Sequence, residues 1–356
     1  MEVLIDLAKL DHNVAVIQEI CRHAGVQAVW VTKGCHSHPA VVDLLASRGA
    51  AVLGEVYADN LRRIRDGFAG ELLMIQPPSG HQLDAALACA DTLLVSSVDN
   101  AAALARAARR AGRRPRLILM VDVGNLREGV LPDAVAGVVT RILALPGVAL
   151  VGLGTSVGCY GGYLAGARDL QRLVQVAATV TAATAHRFRT LSAGSGTMLL
   201  ELAAAGCMPP EINQLRIGAA FLVGDQPPTG KALPALYQDA FLLRGEILEL
   251  ARKPSLPQAP TGTDAFGRTV TFVDLGERKR ALLDFGMTDV DVYALTPRSA
   301  GVRILGATSN YTICDVTESP ERLRVGSRLV FRMAYSAMAR AMASVHTQKT
   351  ILPAAS

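Results

Sequence analysis

The chain has 356 residues, half of them apolar and 19% charged, with 32 glycines and 17 prolines. Such a chain buries enough surface to offset its ordering entropy, which excludes disorder, and its dispersed Gly and Pro exclude fibrous and coiled-coil classes. The net charge of +5 is mild, and its one dense cluster, RAARRAGRRPR (106–116), lacks the aromatic platforms of a nucleic-acid surface, so a solvated helix end is expected there.

EVLID (2–6) opens the chain as a short strand, without the basic-then-apolar layout of a signal peptide. A rhythm follows. Apolar, β-branched runs at 27–33, 50–56, 71–77, 92–97, 116–124, 149–156, 189–195 and 214–224 alternate with helix-like segments such as 38–49, 57–68, 99–112 and 133–145. Runs apolar on both faces suit a parallel sheet covered by helices, and eight of them predict a closed (β/α)8 TIM-type barrel over residues 7–228.

Residues 142–167 carry no formal charge, but seven glycines and a proline argue for a buried strand and a Gly-rich loop in a soluble protein. After QPPTGKALP (226–234) the pattern changes to alternating runs at 241–250, 269–275, 280–286, 301–307, 310–317 and 327–335, separated by Gly, Pro and Asp turns. These predict a smaller antiparallel β domain over 229–356, joined by the strand at 1–6. The six cysteines, Cys21, Cys35, Cys89, Cys159, Cys207 and Cys314, have no CxxC or metal-ligand spacing, so reduced thiols, no metal site and a cytoplasmic location are expected.

Barrels of this kind carry chemistry at the C-terminal ends of their strands. Lys33 follows the apolar run AVWV, so its amine is expected at a desolvated strand end, as a Schiff-base lysine requires; a snorkelling lysine is the plainer alternative. SAGSGT (192–197) and RIG (216–218) supply backbone donors, hydroxyls and an arginine suited to a phosphate, or else a plain tight turn. Taken together, a lysine and a phosphate loop point to an aldehyde cofactor bearing a phosphate, pyridoxal 5'-phosphate.

Several motifs, in order across both domains, resemble the fold-type III pyridoxal-phosphate enzymes and specifically the alanine/ornithine racemase family, with the ornithine-racemase branch closest. They are VWVTKGCHSHP (29–39), MVDVGNLREGV (120–130), GTSVGCYGG (154–162), SAGSG (192–196), NQLRIGAAFLVG (213–224), LYQDAFLLRGEI (236–247), GTDAFG (262–267) and VRILGATSNYTICDVT (302–317). The resemblance implies an alanine racemase-like fold, a head-to-tail homodimer acting on an amino acid as its small-molecule substrate, and no nucleic-acid or membrane partner. It makes Lys33 the Schiff-base residue and places Arg127, Thr155, Ser156, Ser195, Gly196, Arg216, Ile217, Gly218 and His346 around the cofactor. Arg216 would face the pyridine nitrogen, and Arg127, Asp289, Ser309 and Asn310 would face the substrate.

Lys33 would serve one face of Cα, and Cys159 or Tyr160 the other, with His36 and His38 as further candidates. Alanine racemases put a tyrosine from the partner's β domain on that second face. Met287 stands at its position here, and Asn310 and His346 replace an acidic and a tyrosyl residue of the ornithine branch. A decarboxylase, a D-amino-acid lyase and a non-catalytic cofactor-homeostasis protein are the alternatives. The β domain argues against the last, Cys314 within a strand pattern against the first, and His346 without a ligand partner against the lyase. Ornithine is the expected substrate, with lysine, arginine, alanine and serine open.

Overall fold

The chain starts as an edge strand and turns at once into a helix: β1 (Glu2–Ile5) leads to α1 (Leu7–His23), which buries Leu10, Val14 and Ile17 at the three- and four-residue spacing of one helix face. The computed structural model describes residues 1–158, 160–194, 196–226 and 231–353, with side chains at all of these but 196, 197 and 226. Two units result, residues 10–236 and residues 1–9 with 237–356, the division falling inside α1.

In the first unit β2 (Gln27–Val31), β3 (Val52–Glu55), β4 (Glu71–Met74), β5 (Thr92–Val95), β6 (Arg116–Met120), β7 (Ala149–Ser156), β8 (Thr190–Gly194) and β9 (Gln214–Ile217) pair in that order, all parallel. β9 returns to β2, Val29 against Arg216, and closes the barrel. Val29, Val52, Leu73, Leu94, Ile118 and Met120 form one buried cluster, each strand contributing at least about 1.5 kcal/mol per sequestered side chain. The helices between are α2 (Pro39–Ser47), α3 (Ala58–Arg65), α4 (Leu83–Cys89), α5 (Val98–Arg110), α6 (Val135–Leu143), α7 (Ala167–Thr184), α8 (Gly196–Ala204) and α9 (Ala219–Val223). Local chemistry sets their starts: Pro39 opens α2, Ser97 Oγ accepts the Asn100 N–H at α5, and Asp169 accepts the Gly166 N–H at α7.

The run at 214–224 is not one strand. It ends at Ile217, and Gly218 lets the chain turn into α9, whose Ala220 to Val223 are wholly buried. An apolar helix of one turn and an apolar strand look alike in sequence. Trp30 on β2 meets Phe221 of α9 edge to face, centroids 5.4 Å apart, which fixes α9 against the strand that leads to Lys33.

A short pair, β10 (Asp225–Gln226) with β11 (Lys231–Ala232), completes this unit. The second is built on the long strand β12 (Phe241–Pro254), beside β13 (Glu277–Leu283), β14 (Leu295–Pro297), β15 (Arg303–Ala307), β16 (Thr312–Asp315) and β17 (Arg328–Met333), in the order β14-β17-β12-β13-β16-β15. α10 (Tyr335–Ala343) and β18 (Gln348–Ile351) follow. Its core is aliphatic and aromatic, with Phe285 edge to face on Phe331 at 5.7 Å.

Three expectations need correction here. The sheet is not purely antiparallel, because β1 lies antiparallel to β12 but parallel to β18. The run at 269–275 makes no strand beyond a single bridge, Thr263 to Thr269; its Phe272, Val273 and Leu275 are exposed, so alternation there had no core to face. Residues 335–343 form a helix, burying Ala337, Met338, Ala341 and Met342, where only the end of a strand was expected. Among the described residues the cysteines are free thiols, and burial pushes Cys35 and Cys314 up to about 12. Among them, too, no helix is long and apolar enough to cross a membrane.

Candidate active site

Two residues past β2, Lys33 opens a single 3-10 turn, Lys33–Cys35. The expected desolvated amine is not found: Val31 and Thr32 are buried, but the turn carries the Lys33 side chain out to an exposed position. Among the described residues its ammonium has no hydrogen-bond or ion-pair partner. What marks this lysine is accessibility at a tightly held turn. His36 and Ser37, at φ 52° and 48°, are both left-handed, a conformation non-glycine residues keep only when their surroundings enforce it. His36 and His38 are half-buried in the same turn.

Next to β2, Arg216 lies buried on β9, 5% exposed. Its Nη1 donates to Ser192 Oγ at 2.6 Å, and its Nη2 to Thr155 O at 2.6 Å and Ser156 Oγ at 3.1 Å. Three strand ends therefore converge on one guanidinium. Gly194, the last residue of β8, makes room for it: a Cβ there would fall 2.7 Å from Nη2. Among the described residues Thr155 Oγ1, wholly buried, has no hydrogen-bond partner. Ile217 ends β9 in full burial, Gly218 precedes α9, and Gly196 opens α8. Ser195 lies outside the described residues.

The loop after β6 is organised by Asp122, whose Oδ1 accepts the Gly124 N–H at 2.8 Å and the Leu126 N–H at 3.1 Å. Val130 N–H returns to Met120 O at 2.9 Å, and Gly129, at φ 131°, passes so close that a Cβ would sit 2.6 Å from Asp122 N. Arg127 projects from this loop, exposed and paired with Glu128. Asn125 is 4% exposed, and among the described residues neither its Nδ2 nor its Oδ1 has a partner. Buried amides normally find partners, so this one is available to a ligand.

In the loop after β7, Cys159 lies outside the described residues, and Tyr160 is 59% exposed. Tyr163, which sequence reasoning passed over, donates its hydroxyl to Asp169 Oδ1 at 2.6 Å, and that bond raises its pKa and ties it up as an acid. The second-domain candidates gather in their own unit. Ser344 Oγ donates to Asp289 at 3.1 Å and accepts the His346 N–H at 3.3 Å, while Thr288 Oγ1 donates to Ser309 O at 2.8 Å. Asn310 and the His346 side chain are exposed, and Met287 is buried, its carbonyl accepting from Arg340. Among the described residues no group of His, Cys, Asp and Glu could hold a metal ion.

The family model for the alanine racemase N-terminal domain matches residues 5–227. A lysine racemase of Thermotoga maritima is 33% identical over 352 residues, covering 99% of this chain and 98% of that protein. An ornithine racemase of Acetoanaerobium sticklandii is 30% identical over 352 residues, covering 99% of each. Among solved structures, alanine racemase from Streptomyces coelicolor A3(2) superposes with a TM-score of 0.73 at 17% identity, covering 99% of this chain and 97% of that one.

Proposed function

This chain belongs to the alanine racemase family, and from that premise we propose that it is a pyridoxal-phosphate-dependent racemase of a basic amino acid, lysine or ornithine. The observation that carries the proposal is an accessible lysine in the turn after β2 and a buried arginine on the paired strand β9.

The residues present fit the cofactor. Arg216, for whose fork Gly194 leaves space, and the Thr155 hydroxyl, without a partner among the described residues, stand at the strand ends where phosphate-bearing ligands bind such barrels. Lys33 would hold the aldehyde carbon, Arg216 the ring nitrogen, and Ser195, Gly196, Ile217 and Gly218 the phosphate, with Thr155, Ser156 and His346 as further contacts. When bound, the cofactor supplies an electron sink that acidifies Cα. The Lys33 amine takes and returns the Cα proton at Nζ on one face. Tyr160 or Cys159 does so on the other, through phenol oxygen or thiol sulfur. A guanidinium at the ring nitrogen holds its own protons, because arginine does not give them up in the working pH range. Arg127 binds the substrate carboxylate and Asp289 the side-chain ammonium, with Ser309 and Asn310 beside it.

A cytoplasmic location and a homodimer of this 37.5 kDa chain belong to the same proposal, the first supported by free thiols among the described residues. Chiral chromatography over a panel of lysine, ornithine, arginine, alanine and serine tests it. Interconversion of lysine or ornithine that needs added cofactor and is lost in Lys33→Ala is the expected outcome; turnover of alanine alone rejects the basic-substrate assignment.

A further inference from the structure

Beneath the Lys33 turn lies a carboxylate that no step above uses. Glu55 ends β3 and is 0% exposed. Among the described residues no cation pairs with it. A charge out of water survives only where donors surround it, and Glu55 has them: the Ser37 hydroxyl at 2.6 Å on Oε2, the Val56 N–H at 2.6 Å and the Tyr57 N–H at 3.4 Å on Oε1. The Ser37 proton being spent on Glu55, the Ser37 oxygen is left to accept, and Thr32 Oγ1 lies 2.9 Å away. Thr32 immediately precedes Lys33. Its carbonyl accepts from Ser37 N–H at 3.1 Å and from Cys35 Sγ at 3.2 Å, and its own N–H donates to Gly54 O at 3.0 Å.

We propose that Glu55 is a positioning residue for Lys33, acting through the Ser37 and Thr32 hydroxyls on both flanks of the lysine turn. This rests on the assignment of Lys33 as the cofactor-holding residue. A lysine with an exposed, unpartnered ammonium is not aimed by its own side chain, so its root must be fixed by the backbone. The left-handed pair His36 and Ser37 supplies the bend, and the chain of hydrogen bonds ending on a full charge keeps it from relaxing.

Two variants and one rescue separate this from simple stabilisation. Ser37→Gly relieves the left-handed backbone while deleting the hydroxyl, so the backbone gain offsets part of the cost of the donor that Glu55 loses. Thr32→Val removes the second hydroxyl at constant shape, and Thr32→Ser restores it. The readouts are apparent pyridoxal-phosphate affinity by titration, and borohydride-trapped adduct at Lys33 quantified by peptide mass spectrometry. Measured well below the melting range of each variant, Ser37→Gly and Thr32→Val are expected to weaken cofactor affinity about tenfold, one broken bond to a charged chain, and to lower trapped adduct; Thr32→Ser should return to the parent value. Parent affinity and adduct yield in both Ser37→Gly and Thr32→Val overturn the proposal, and should Ser37→Gly fail to fold, the Thr32 pair decides it. Adduct persisting in Lys33→Ala would instead overturn the lysine assignment.

Discussion

Arg216 and Arg127 carry the same guanidinium on the same barrel, and the protein treats them differently. Arg216 is almost sealed in, its fork spread over a serine hydroxyl on β8 and a carbonyl and hydroxyl on β7, with a glycine kept beside it to leave space. Arg127 stands exposed on a loop, paired with its sequence neighbour Glu128. A buried guanidinium engaged on both Nη1 and Nη2 is fixed in place. An exposed one paired with a neighbouring carboxylate is held far less tightly.

The largest effect that sharpens this contrast is expected at Arg216. Arg216→Ala should weaken cofactor binding on the order of a hundredfold, about 2–4 kcal/mol for a buried hydrogen-bonded charge, and Arg216→Lys should recover little because it lacks the fork. Equilibrium titration with pyridoxal phosphate measures it. Next comes Gly194→Ala, whose methyl would meet Nη2 and displace the guanidinium. A cost of about 1–3 kcal/mol in stability, with weakened cofactor binding, is the expected result of thermal melts and titration. Arg127→Ala should raise KM about tenfold while leaving cofactor affinity and thermal midpoint at the parent values, since exposed pairs contribute at most about 1 kcal/mol. Cofactor loss equal to that of Arg216→Ala would erase the distinction.

A third arginine arrangement calibrates the other two. Asp315, 2% exposed in the β unit, accepts from Arg278 at 2.9 Å and Arg303 at 3.0 Å. Burial alone would push its carboxyl up, but the Thr317 hydroxyl and N–H and the two arginines outweigh that and hold it well below the usual carboxylate range. A depressed folded value means stability present above the unfolded value of about 3.9 and lost as pH falls through the folded one. Asp315→Asn should therefore lower the thermal midpoint by a few degrees at neutral pH, about 1–2 kcal/mol, with the gap closing only in strong acid. Scanning calorimetry against pH reads it; a gap that widens on acidification contradicts the sign.

Much of this was legible from residues alone. The strand expected at 149–156 is β7 residue for residue, an apolar run with buried residues on both faces. The motifs also drew attention to Lys33, Arg127 and Arg216. What escaped were properties that depend on neighbours distant in sequence. Glu55 reads as an acid at a strand's solvated end, and only the β2–β3 pairing brings Ser37 onto it. The exposure of Lys33 was missed because apolar flanks predict the strand's environment and not that of the turn beyond it. Asn125 looks like an ordinary turn residue in VGNLRE, and its burial follows from the loop folding back from Asp122 to Val130. Residues 269–275 alternate well but have nothing to pack on, and the small Ala-Met face of α10 carries too weak a signal to compete with the strand before it.

Cα proton exchange tests the central claim most directly. A single enantiomer of lysine or ornithine is incubated in deuterated water with the holoenzyme and followed by chiral chromatography and mass spectrometry. Appearance of the opposite enantiomer carrying one deuterium at Cα, with no carbon dioxide or ammonia released and no exchange in Lys33→Ala, is the expected result. Release of carbon dioxide or ammonia, or inversion without deuterium uptake, would contradict it.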